Sequence, residues 1–349
     1  MRKDWVYKKW ADVLTIINGK NQKAVESIDG KYPIYGSGGV MGYANDWLCP
    51  ENCTIIGRKG NINKPIFVES KFWNVDTAFG LNSNKDLLES KYLYYFCLNY
   101  DFNRHNKAVT IPSLTKIDLL KIEMPLPLKP TQQAIVAELD KLNEMIRLKK
   151  QQLEDYDQLA QSIFYEMFGD PVENEKGWEV KKLGEISENY DSIRKPITAS
   201  NREPGNIPYY GASGIVDYVK DFIFNGNYLL ISEDGANLEA RVTPIAFSIS
   251  GKNWVNNHAH VLKFPNQETQ LYIEYLVNSI DIKKYITGAV QPKLTQAKLN
   301  IIPVPLPPLH LQQQFAARIE AIEQQKQQVK DTIKDLETLL ASRMQYWFD

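Results

Sequence analysis

QQAIVAELDKL at residues 132–142 and QQQFAARIEAI at residues 312–322 begin two helical segments that share one hydrophobic register. A proline-rich run precedes each segment, MPLPL at 124–128 and VPLPP at 304–308. Further upstream, YPIYGSGGVMGY at 32–43 has its counterpart in IPYYGASGIVDY at 207–218. Corresponding residues are roughly 175 to 180 positions apart, far more than the roughly 20 to 50 of a solenoid repeat. The chain is therefore a duplicated domain plus helix.

Apolar residues recur every seven positions along both helical segments, and Gln and charged residues fill the faces between them. This two-per-seven pattern is typical of a helix that packs along another helix. Lys149, Lys326 and Arg343 interrupt it. The predicted helix-pair seam comprises Ile135, Leu139, Leu142, Ile146, Leu153, Tyr156 and Ile163 of the first segment, and Phe315, Ile319, Ile322, Val329, Ile333, Leu336, Leu340 and Trp347 of the second.

An amphipathic helix can also be one wall of a globular core, but the length of these segments argues against that alternative. About 33 residues at about 1.5 Å each make a rod of about 50 Å, longer than a domain of about 130 residues. Only a short step, Gly169 to Pro171, separates the first helix from the second domain. Because domain termini usually lie close together, the two helices should run antiparallel. Lys149 would then face Ile333, and Lys326 would face Tyr156.

Short β-branched or aromatic segments bounded by Gly, Asn or Pro predict strands at 53–57, 65–69, 228–232, 244–250 and 260–264. Longer apolar segments at 91–100 and 271–279 predict helices that cover the sheets, with their tyrosines packed inside. The predicted fold class is α+β: two mixed α/β domains separated by a long antiparallel two-helix coiled coil, with an internal pseudo-two-fold repeat. The predicted boundaries are 1–130, 131–170, 171–308 and 309–349, in the order domain, helix, domain, helix.

Composition is that of an ordinary folded protein, with 349 residues, 43% hydrophobic content and a formal net charge of −1. Three cysteines offer no disulfide framework, and no run approaches the roughly 18 apolar residues of a membrane span, so we expect a cytoplasmic protein without a membrane partner. Near-zero charge counts against a nucleic-acid partner. Basic residues nevertheless cluster, which suits phosphate binding but also an ordinary solvated surface. The clusters are Arg58, Lys59, Lys64 and Lys71; Arg104, His105, Lys107, Lys116 and Lys121; and Lys283, Lys284, Lys293 and Lys298.

Two glycine-containing loops align across the repeat but differ in charge. GRKGN at 57–61 corresponds to SEDGAN at 232–237, so two basic side chains have become two acidic ones. A structural loop could drift in this way. A loop that reads bases would be expected to change its charge between the two copies, because Arg or Lys suits guanine edges whereas Glu or Asp accepts a hydrogen bond from cytosine.

The duplicated order of these motifs resembles the specificity subunit of Type I restriction-modification systems. The resemblance covers essentially the whole chain. It is carried by the Tyr-Gly hairpins, by NNHAHVL at 256–262, and by Pro112, Leu114, Thr115, Pro125, Pro127, Gln132 and Gln133 with their counterparts Pro292, Leu294, Thr295, Pro305, Pro307, Gln312 and Gln313.

The resemblance implies a non-catalytic subunit with two target-recognition domains, each of which reads one half of a bipartite site in double-stranded DNA. The helices would set the spacer between the half-sites and dock two modification (methyltransferase) subunits, and restriction (translocase or nuclease) subunits could join them. S-adenosylmethionine, ATP and Mg would belong to these partners, with no cofactor in this chain. The alternative is a protein-interaction scaffold with two adaptor domains on a coiled coil, which would show no salt-dependent affinity for duplex DNA.

Catalytic signatures are missing from the sequence. It has neither an Asn-Pro-Pro-Tyr or Asp-Pro-Pro-Tyr methylation motif nor a Walker lysine motif. Cys49 and Cys53 lack the further ligands of a zinc site. His258 and His260 alternate on a predicted strand, so metal binding or catalysis is open, but a buried or base-reading strand is the preferred interpretation. We predict no catalytic and no metal-binding residues.

Candidate DNA-contacting side chains come from the loops of both domains. Arg and Lys would mostly hold phosphates, whereas Asn, Glu and some Arg would read base edges. The candidates are Ser37, Arg58, Lys59, Asn61, Lys64, Arg104, His105, Lys107 and Ser113 in the first domain, and Ser213, Glu233, Asn237, Glu239, Arg241, Asn256, His258, Lys293 and Thr295 in the second.

Overall fold

The computed structural model of the chain describes residues 5–106, 110–288 and 291–349. Two compact units divide it: unit 1 comprises Met1–Gln151 with Lys330–Asp349, and unit 2 comprises Gln152–Val329. The two long helices extend over Lys129–Phe168 and Leu309–Phe348, so each unit contains one domain and a part of each long helix. Both units mix helices and strands, as the sequence predicts.

The domain of unit 1 is organised around a four-stranded antiparallel sheet. Its strand order is Leu14–Asn18, Ala78–Ser83, Cys53–Gly57 and Ile66–Val68. The central strand Cys53–Gly57 is buried along its whole length, which suits its apolar sequence. The other strands are Val6–Lys9, Tyr32–Gly36, Gly39–Ala44, Trp73–Asn74 and Glu123–Leu126, and the helices are Trp10–Val13, Ser90–Asn99, Lys116–Leu119 and the 3-10 helix Phe102–His105.

The domain of unit 2 repeats this arrangement. Its main sheet has the order Glu188–Asn189, Ala259–Lys263, Tyr228–Ser232 and Ala246–Ile249. The remaining strands are Glu179–Lys182, Pro204–Gly211, Gly214–Val219, Phe224–Asn225, Lys252–Val255, Ile286–Thr287, Lys293–Leu294 and Pro303–Leu306. The helices are Leu183–Ile186, Asn237–Ala240, Gln267–Ser279 and Gln296–Asn300, with 3-10 helices at Asp191–Ile193, Ala199–Asn201 and Lys283–Tyr285.

The predicted strands and covering helices are confirmed. Strands occupy each of the five predicted segments, with Cys53–Gly57 and Tyr228–Ser232 matching in full. The predicted helices at 91–100 and 271–279 are Ser90–Asn99 and Gln267–Ser279. Tyr92 and Tyr272, at equivalent positions of these helices, are buried and donate hydrogen bonds to the Pro125 and Pro305 carbonyls.

A buried glutamine joins each domain to the long helix that follows it. In unit 1, Gln132 accepts a hydrogen bond from the Glu89 backbone N–H at 2.8 Å and donates to the carbonyls of Leu87 and Pro127 at 2.9 and 2.8 Å. In unit 2, Gln312 donates to Pro307 at 2.7 Å and accepts from the Thr269 hydroxyl at 2.7 Å. These bonds give the Gln-rich helix starts a physical reason, since in each unit the buried amide satisfies the carbonyl of the second proline in the proline-rich run.

Ion pairs within each unit indicate that the two helices run antiparallel there. In unit 1, Arg343 donates to Glu138, whereas Lys150 lies 2.8 Å from Glu337, so one sequence number rises as the other falls. In unit 2 the same order appears between Asp157 and Lys326, at 2.7 Å, and between Glu166 and Arg318, at 3.9 Å. Lys326, which interrupts the apolar series, thus places its ammonium group beside Asp157.

Most seam positions are buried, although their role as a seam between two helices stays a prediction. Phe164 and Phe168 are also fully buried, whereas their neighbours Ile163 and Met167 are only partly buried. Buried seam residues are Ile135, Leu139, Leu142, Ile146, Phe315, Ile319, Ile322, Val329, Ile333 and Leu336; partly buried ones are Leu153, Tyr156, Ile163, Leu340 and Trp347.

Among the helices of the described residues, none combines the length and the apolar character that a membrane span requires.

Candidate nucleic-acid interface

The first tip loop, residues 58–64, follows the central strand Cys53–Gly57 of unit 1. The backbone N–H groups of Arg58 and Lys59 donate to the Thr77 carbonyl at 2.8 and 3.2 Å, which ties the loop to the strand beside it. On its other side, Gly60 N donates to Pro112 O at 3.0 Å and Leu114 N donates to Arg58 O at 2.9 Å. The predicted contact residues Lys59 and Ser113 form an isolated β-bridge here, so the structure brings them together.

The turn of the first Tyr-Gly hairpin adjoins this loop. Ser37 Oγ lies 3.7 Å from the position that a Cβ atom would occupy at Gly60, and Asn61 Nδ2 lies 3.7 Å from the corresponding position at Gly38. Gly60 has a φ of +80°, a conformation that favours glycine. The hairpin turn, the tip loop and the segment around Ser113 therefore form one surface.

Exposure differs among the predicted contact residues of unit 1. Lys59, Asn61, Lys64 and Arg104 are exposed, whereas Ser37, Ser113 and His105 are partly buried. Lys107 lies outside the described residues. Arg58 is also partly buried, and its guanidinium carbon lies 5.7 Å from the centre of the Phe79 ring. This ring contact holds the Arg58 guanidinium beside Phe79, while the N–H donors at its edge can still reach a ligand.

The Phe102–His105 segment is anchored to the tip loop by Asn63. The Asn63 side chain accepts from Phe102 N at 2.8 Å and donates to Asp101 at 3.1 Å. A backbone hydrogen bond from Asn103, together with Asn63 and Arg104, holds the pKa of Asp101 below its usual value. His105 Nε2 lies 2.7 Å from the Tyr100 hydroxyl, and its ring stacks on the Tyr100 ring. The segment thus presents Arg104 on the same loop cluster.

Unit 2 builds the second tip loop, residues 233–239, on the same backbone arrangement. Gly235 N donates to Pro292 O at 3.1 Å and Leu294 N donates to Glu233 O at 2.8 Å, as Gly60 and Leu114 do in unit 1. Asp234 and Lys293 form the bridge equivalent to that of Lys59 and Ser113. The alignment of GRKGN with SEDGAN is therefore confirmed.

Charged side chains form a buried network beneath the second tip loop. The Glu233 carboxylate lies 2.5 Å from Nη1 of Arg194 and 3.1 Å from Nζ of Lys293. Nη2 of Arg194 lies 3.3 Å from Asp191, which in turn lies 2.6 Å from Nδ1 of His260. His260 is fully buried, and its Nε2 lies 2.7 Å from the Leu294 carbonyl oxygen. Both its ring nitrogens thus face acceptors.

The cations of this network lower the pKa of both carboxyl groups. Burial alone would raise the pKa of Glu233, but hydrogen bonds from Arg194 and Lys293 outweigh it, and the net direction is downward. Burial likewise opposes a lowered pKa at Asp191, where the hydrogen bond with His260 and the backbone N–H of Val261 prevail. Both groups are therefore held as carboxylates.

The same network contains a possible set of metal ligands. Ligand atoms of Asp191, Glu233 and His260 lie within 4.8 Å of one another. The Arg194 guanidinium already bridges the two carboxylates and supplies the positive charge that a metal ion would provide. The donor set therefore fits a salt-bridge network better than a metal centre.

Several predicted contact residues of unit 2 are engaged in holding their own loops. Arg241 donates to the Ile280 carbonyl at 3.0 Å, and Asn237 donates to the Thr243 carbonyl at 3.0 Å. Buried Asn256 accepts from His258 N at 2.8 Å, and Thr295 caps the helix Gln296–Asn300. Direct DNA contact by these side chains, and by buried Glu233, stays a prediction.

The remaining predicted contact residues of unit 2 are exposed. They are Ser213, Glu239, His258 and Lys293. Nδ1 of His258 lies 2.9 Å from each carboxylate oxygen of Asp234, so His258 is oriented on the tip loop. The prediction that His258 and His260 alternate on one strand is wrong, because His258 is exposed in the turn before the strand Ala259–Lys263, whereas His260 is buried within that strand.

Sequence reasoning missed Asp191, Arg194 and Asp234. The available signal was the Asp-Ser-Ile-Arg stretch at 191–194, in which a carboxylate and a guanidinium are spaced to pair. Nothing local indicated that Glu233, far along the chain, would join them. Asp234 was placed in the tip loop by alignment, but its partner His258 lies in the turn that precedes the strand Ala259–Lys263.

Comparison with known proteins identifies the family of the chain that carries these two tip loops. The family described as Type I restriction modification DNA specificity domain matches residues 2–155 and 175–338. The chain belongs to this family. The resemblance inferred from sequence, including the repeated domain, is confirmed.

Relatives include a putative type I restriction enzyme specificity subunit of Haemophilus influenzae, 37% identical over 145 residues, which are 41% of this chain and 37% of that protein. The type I restriction enzyme MjaIX specificity subunit of Methanocaldococcus jannaschii is 25% identical over 277 residues, 68% of this chain and 63% of that protein. The matches thus span less than two thirds of these relatives' length. A solved S subunit of a Type-I restriction-modification system from M. genitalium shares the fold, with a TM-score of 0.60 and 18% identity over 100% of this chain and 98% of that chain.

Proposed function

We propose that the chain is the sequence-specific DNA-binding subunit of a Type I restriction-modification complex, in which each domain reads one half of a bipartite site. One observation carries this proposal. The two tip loops share their backbone hydrogen bonds, yet Arg58 and Lys59 of the first stand where Glu233 and Asp234 stand in the second. Preserved loop geometry with changed charge suits two related domains that recognise different sequences.

The exposed loop residues are the proposed DNA contacts. Lys59, Lys64 and Lys293 suit phosphates, because an ammonium group binds as a point charge without reading a base. Asn61, Glu239 and His258 offer the donors and acceptors that distinguish base edges. Arg58 suits either role, since its guanidinium lies beside the Phe79 ring and the N–H donors at its edge can form a bidentate contact with guanine.

The two long helices are proposed to form the spacer, as an antiparallel coiled coil between recognition domains at 1–130 and 171–308. Support comes from two continuous helices of 40 residues each and from the antiparallel ion pairs in both units. We further propose that these helices dock two modification subunits, which restriction subunits can join. Methyl transfer and DNA cleavage would be carried out by those partners, which would bind the S-adenosylmethionine, ATP and Mg that these reactions require. This chain would be non-catalytic.

The direct test is to co-express the chain with the modification subunit encoded beside it and map methylated adenines in the host genome. A single bipartite motif, lost when this chain is omitted, is the expected result. A stable complex that methylates no defined motif would contradict the proposal and favour a scaffold. Salt titration of duplex binding provides a second readout, because specific binding that neutralises phosphates must weaken as salt rises.

A further inference from the structure

Each domain carries an exposed apolar stripe on the second strand of its Tyr-Gly hairpin. The hairpins pair Tyr32–Gly36 with Gly39–Ala44 and Pro204–Gly211 with Gly214–Val219. Burial along the second strand is identical in the two copies. The first hairpin stripe is Val40, Met41 and Tyr43, which are 54%, 61% and 50% exposed; the second is Ile215, Val216 and Tyr218, which are 48%, 57% and 51% exposed.

A β-bulge produces this exposure in both domains. In the first hairpin, Ile34 pairs with Gly42 and Tyr35 pairs with Val40, so Met41 is the extra residue. In the second hairpin, the register shift between Tyr209 and Tyr210 leaves Val216 in the equivalent position. A bulge redirects a side chain away from the regular alternation of a strand. Two adjacent apolar residues consequently point outward in each copy.

A glycine next to each bulge, Gly36 paired with Gly39 or Gly211 paired with Gly214, accommodates the extra side chain. A Cβ atom at Gly36 would lie 2.6 Å from Sδ of Met41, and one at Gly211 would lie 2.7 Å from Cγ2 of Val216. Any larger residue would push the bulged side chain away. The bulge, the adjacent glycine and the exposed apolar residue therefore occur together in both domains.

Scattered exposed apolar residues are common and need no explanation. These stripes differ because the same positions stay apolar in both copies. Val40 and Met41 correspond to Ile215 and Val216, a change within the apolar class, whereas the neighbouring tip loops changed from basic to acidic. Shared ancestry alone would let exposed positions diverge as freely as the tip loops did.

The stripes are continuous with the candidate nucleic-acid interface. In unit 1, the hairpin turn at Ser37 and Gly38 adjoins Gly60 and Asn61 of the tip loop. In unit 2, the Ser232 hydroxyl donates to the Ala212 carbonyl at 2.5 Å, and Asn256 N donates to Tyr210 O at 3.0 Å. A duplex lying on the tip loops would thus meet the stripes as well.

We propose that the two hairpin stripes contact base edges in the major groove of the two half-sites, with Val40 and Met41, or Ile215 and Val216, against thymine methyl groups. This inference rests on the proposed function. The thymine methyl is the apolar group that the major groove displays, and it is recognised by apolar side chains. Tyr43 and Tyr218 add a ring for packing and a hydroxyl that can donate to a phosphate.

Cysteine protection tests the contact in the full complex with the modification subunit. The three native cysteines are buried, so Val40→Cys and Ile215→Cys each introduce an exposed thiol. Duplex DNA that contains the motif found by methylation mapping should slow alkylation of either thiol by about an order of magnitude, because a thiol covered by bound DNA is no longer accessible to the reagent. Leu87→Cys, 44% exposed in the first domain on the turn held by Gln132, is the matched control and should react equally with and without DNA.

The outcomes separate this inference from the proposed function. If the complex binds no duplex specifically, the proposed function fails, and the inference with it. If the duplex binds but Val40→Cys and Ile215→Cys stay fully reactive, only the inference fails. Protection already present without DNA would assign the stripes to the protein partner and would also overturn it.

Replacement of thymine by uracil tests the methyl contact itself. Each half-site methylated on adenine contains an A·T pair, so a uracil-substituted duplex lacks methyl groups in both halves. The unaltered complex should bind the thymine duplex several-fold more tightly than the uracil duplex. Val40→Ser with Met41→Ser should reduce this preference, and the addition of Ile215→Ser and Val216→Ser should remove the remainder. Equal binding of both duplexes by the unaltered complex would overturn the base-edge assignment.

Discussion

The Arg194 guanidinium lies 2.5 Å from the Glu233 carboxylate, and only 11% of each side chain is exposed. The pair joins the second tip loop to the 3-10 helix Asp191–Ile193, which precedes it by about 40 residues in sequence. Arg194 also donates to the Ala259 carbonyl at 2.7 Å, so one side chain connects three parts of the domain. The shape of the proposed recognition surface therefore depends on a buried cation.

Removal of that cation should destabilise unit 2. Arg194→Met removes the guanidinium that lies between the Asp191 and Glu233 carboxylates. Removing one partner of a buried ion pair costs about 3 kcal/mol or more, because the other charge stays buried. Lys220→Met is the control, because its pair with Glu203 is 66% and 72% exposed, and solvent screening should leave it with little effect on stability. Urea unfolding monitored in unit 2 measures both changes. Equal small losses would show that the Arg194 network carries no special stability.

Acid should weaken the same network. The pKa values of Asp191 and Glu233 are lowered in the fold from ordinary values of 3.8 and 4.5. Their stabilisation is therefore fully present above about pH 4.5 and is lost as the pH falls through the lower folded values. We expect the free energy of unfolding to decline in that window and Glu233→Gln to make the decline shallower. Glu203→Gln, at an exposed position, should leave the wild-type slope unchanged.

The junction between the first domain and its helix should depend on Gln132 and not on Gln133. Gln132→Ala removes three hydrogen bonds from a fully buried site, for an expected loss of about 3 kcal/mol at about 1 kcal/mol each. Gln133→Ala changes an exposed neighbour and should remain within about 0.5 kcal/mol. Denaturant unfolding distinguishes the two variants. A comparable loss from Gln133→Ala would show that burial of the Gln132 amide is not what stabilises this junction, because alanine has the higher helix propensity and should not destabilise the exposed position by itself.

Arg58 should act on specificity if it contacts a base. Arg58→Ala would then relax preference at one position of one half-site by about 1 to 3 kcal/mol. Lys59→Ala, on the exposed neighbour, should weaken all sequences alike and reduce the salt dependence of binding. Binding to a panel of single-base variants of the motif measures both effects. A uniform loss from Arg58→Ala would make Arg58 a phosphate contact.

The spacer of the recognised motif should follow the length of the helices. One heptad inserted into each helix adds about 10 Å, or about three base pairs of spacer, because an α-helix rises about 1.5 Å per residue and DNA about 3.4 Å per base pair. Insertion into one helix alone should disrupt the pairing and serves as the control. Methylation mapping reports the motif in each case. An unchanged spacer with both insertions in place would refute the spacer role.

Local patterns predicted the elements of this protein well where one force dominates. Cys53–Gly57 and Tyr228–Ser232 were predictable because buried central strands need β-branched and apolar residues along their whole length. Seam positions such as Ile135 and Phe315 are buried because helical periodicity places them on one face. The duplication made these predictions more secure, since each predicted element could be checked against the corresponding element of the other copy.

Periodicity was less informative where a third element meets a helix. Near the end of the first long helix, Phe164 and Phe168 are more deeply buried than Ile163 and Met167. The reason is the covering helix of unit 2: Tyr272 stacks on Phe164 at 5.7 Å and meets Phe168 edge-on at 4.9 Å. A pattern that assumes one partner helix cannot include this second contact.

The sequence by itself determined the repeat, the mixed α and β content of both domains, the central strands, the covering helices and the family, because each is encoded in local periodicity or motif order. Tertiary structure decided which polar side chains remain available on the surface. Glu233 and Lys59 both belong to aligned tip loops, yet Glu233 is buried against Arg194 while Lys59 is exposed. Burial and ion pairing depend on residues far away in the chain, and only folding brings those residues within hydrogen-bonding distance.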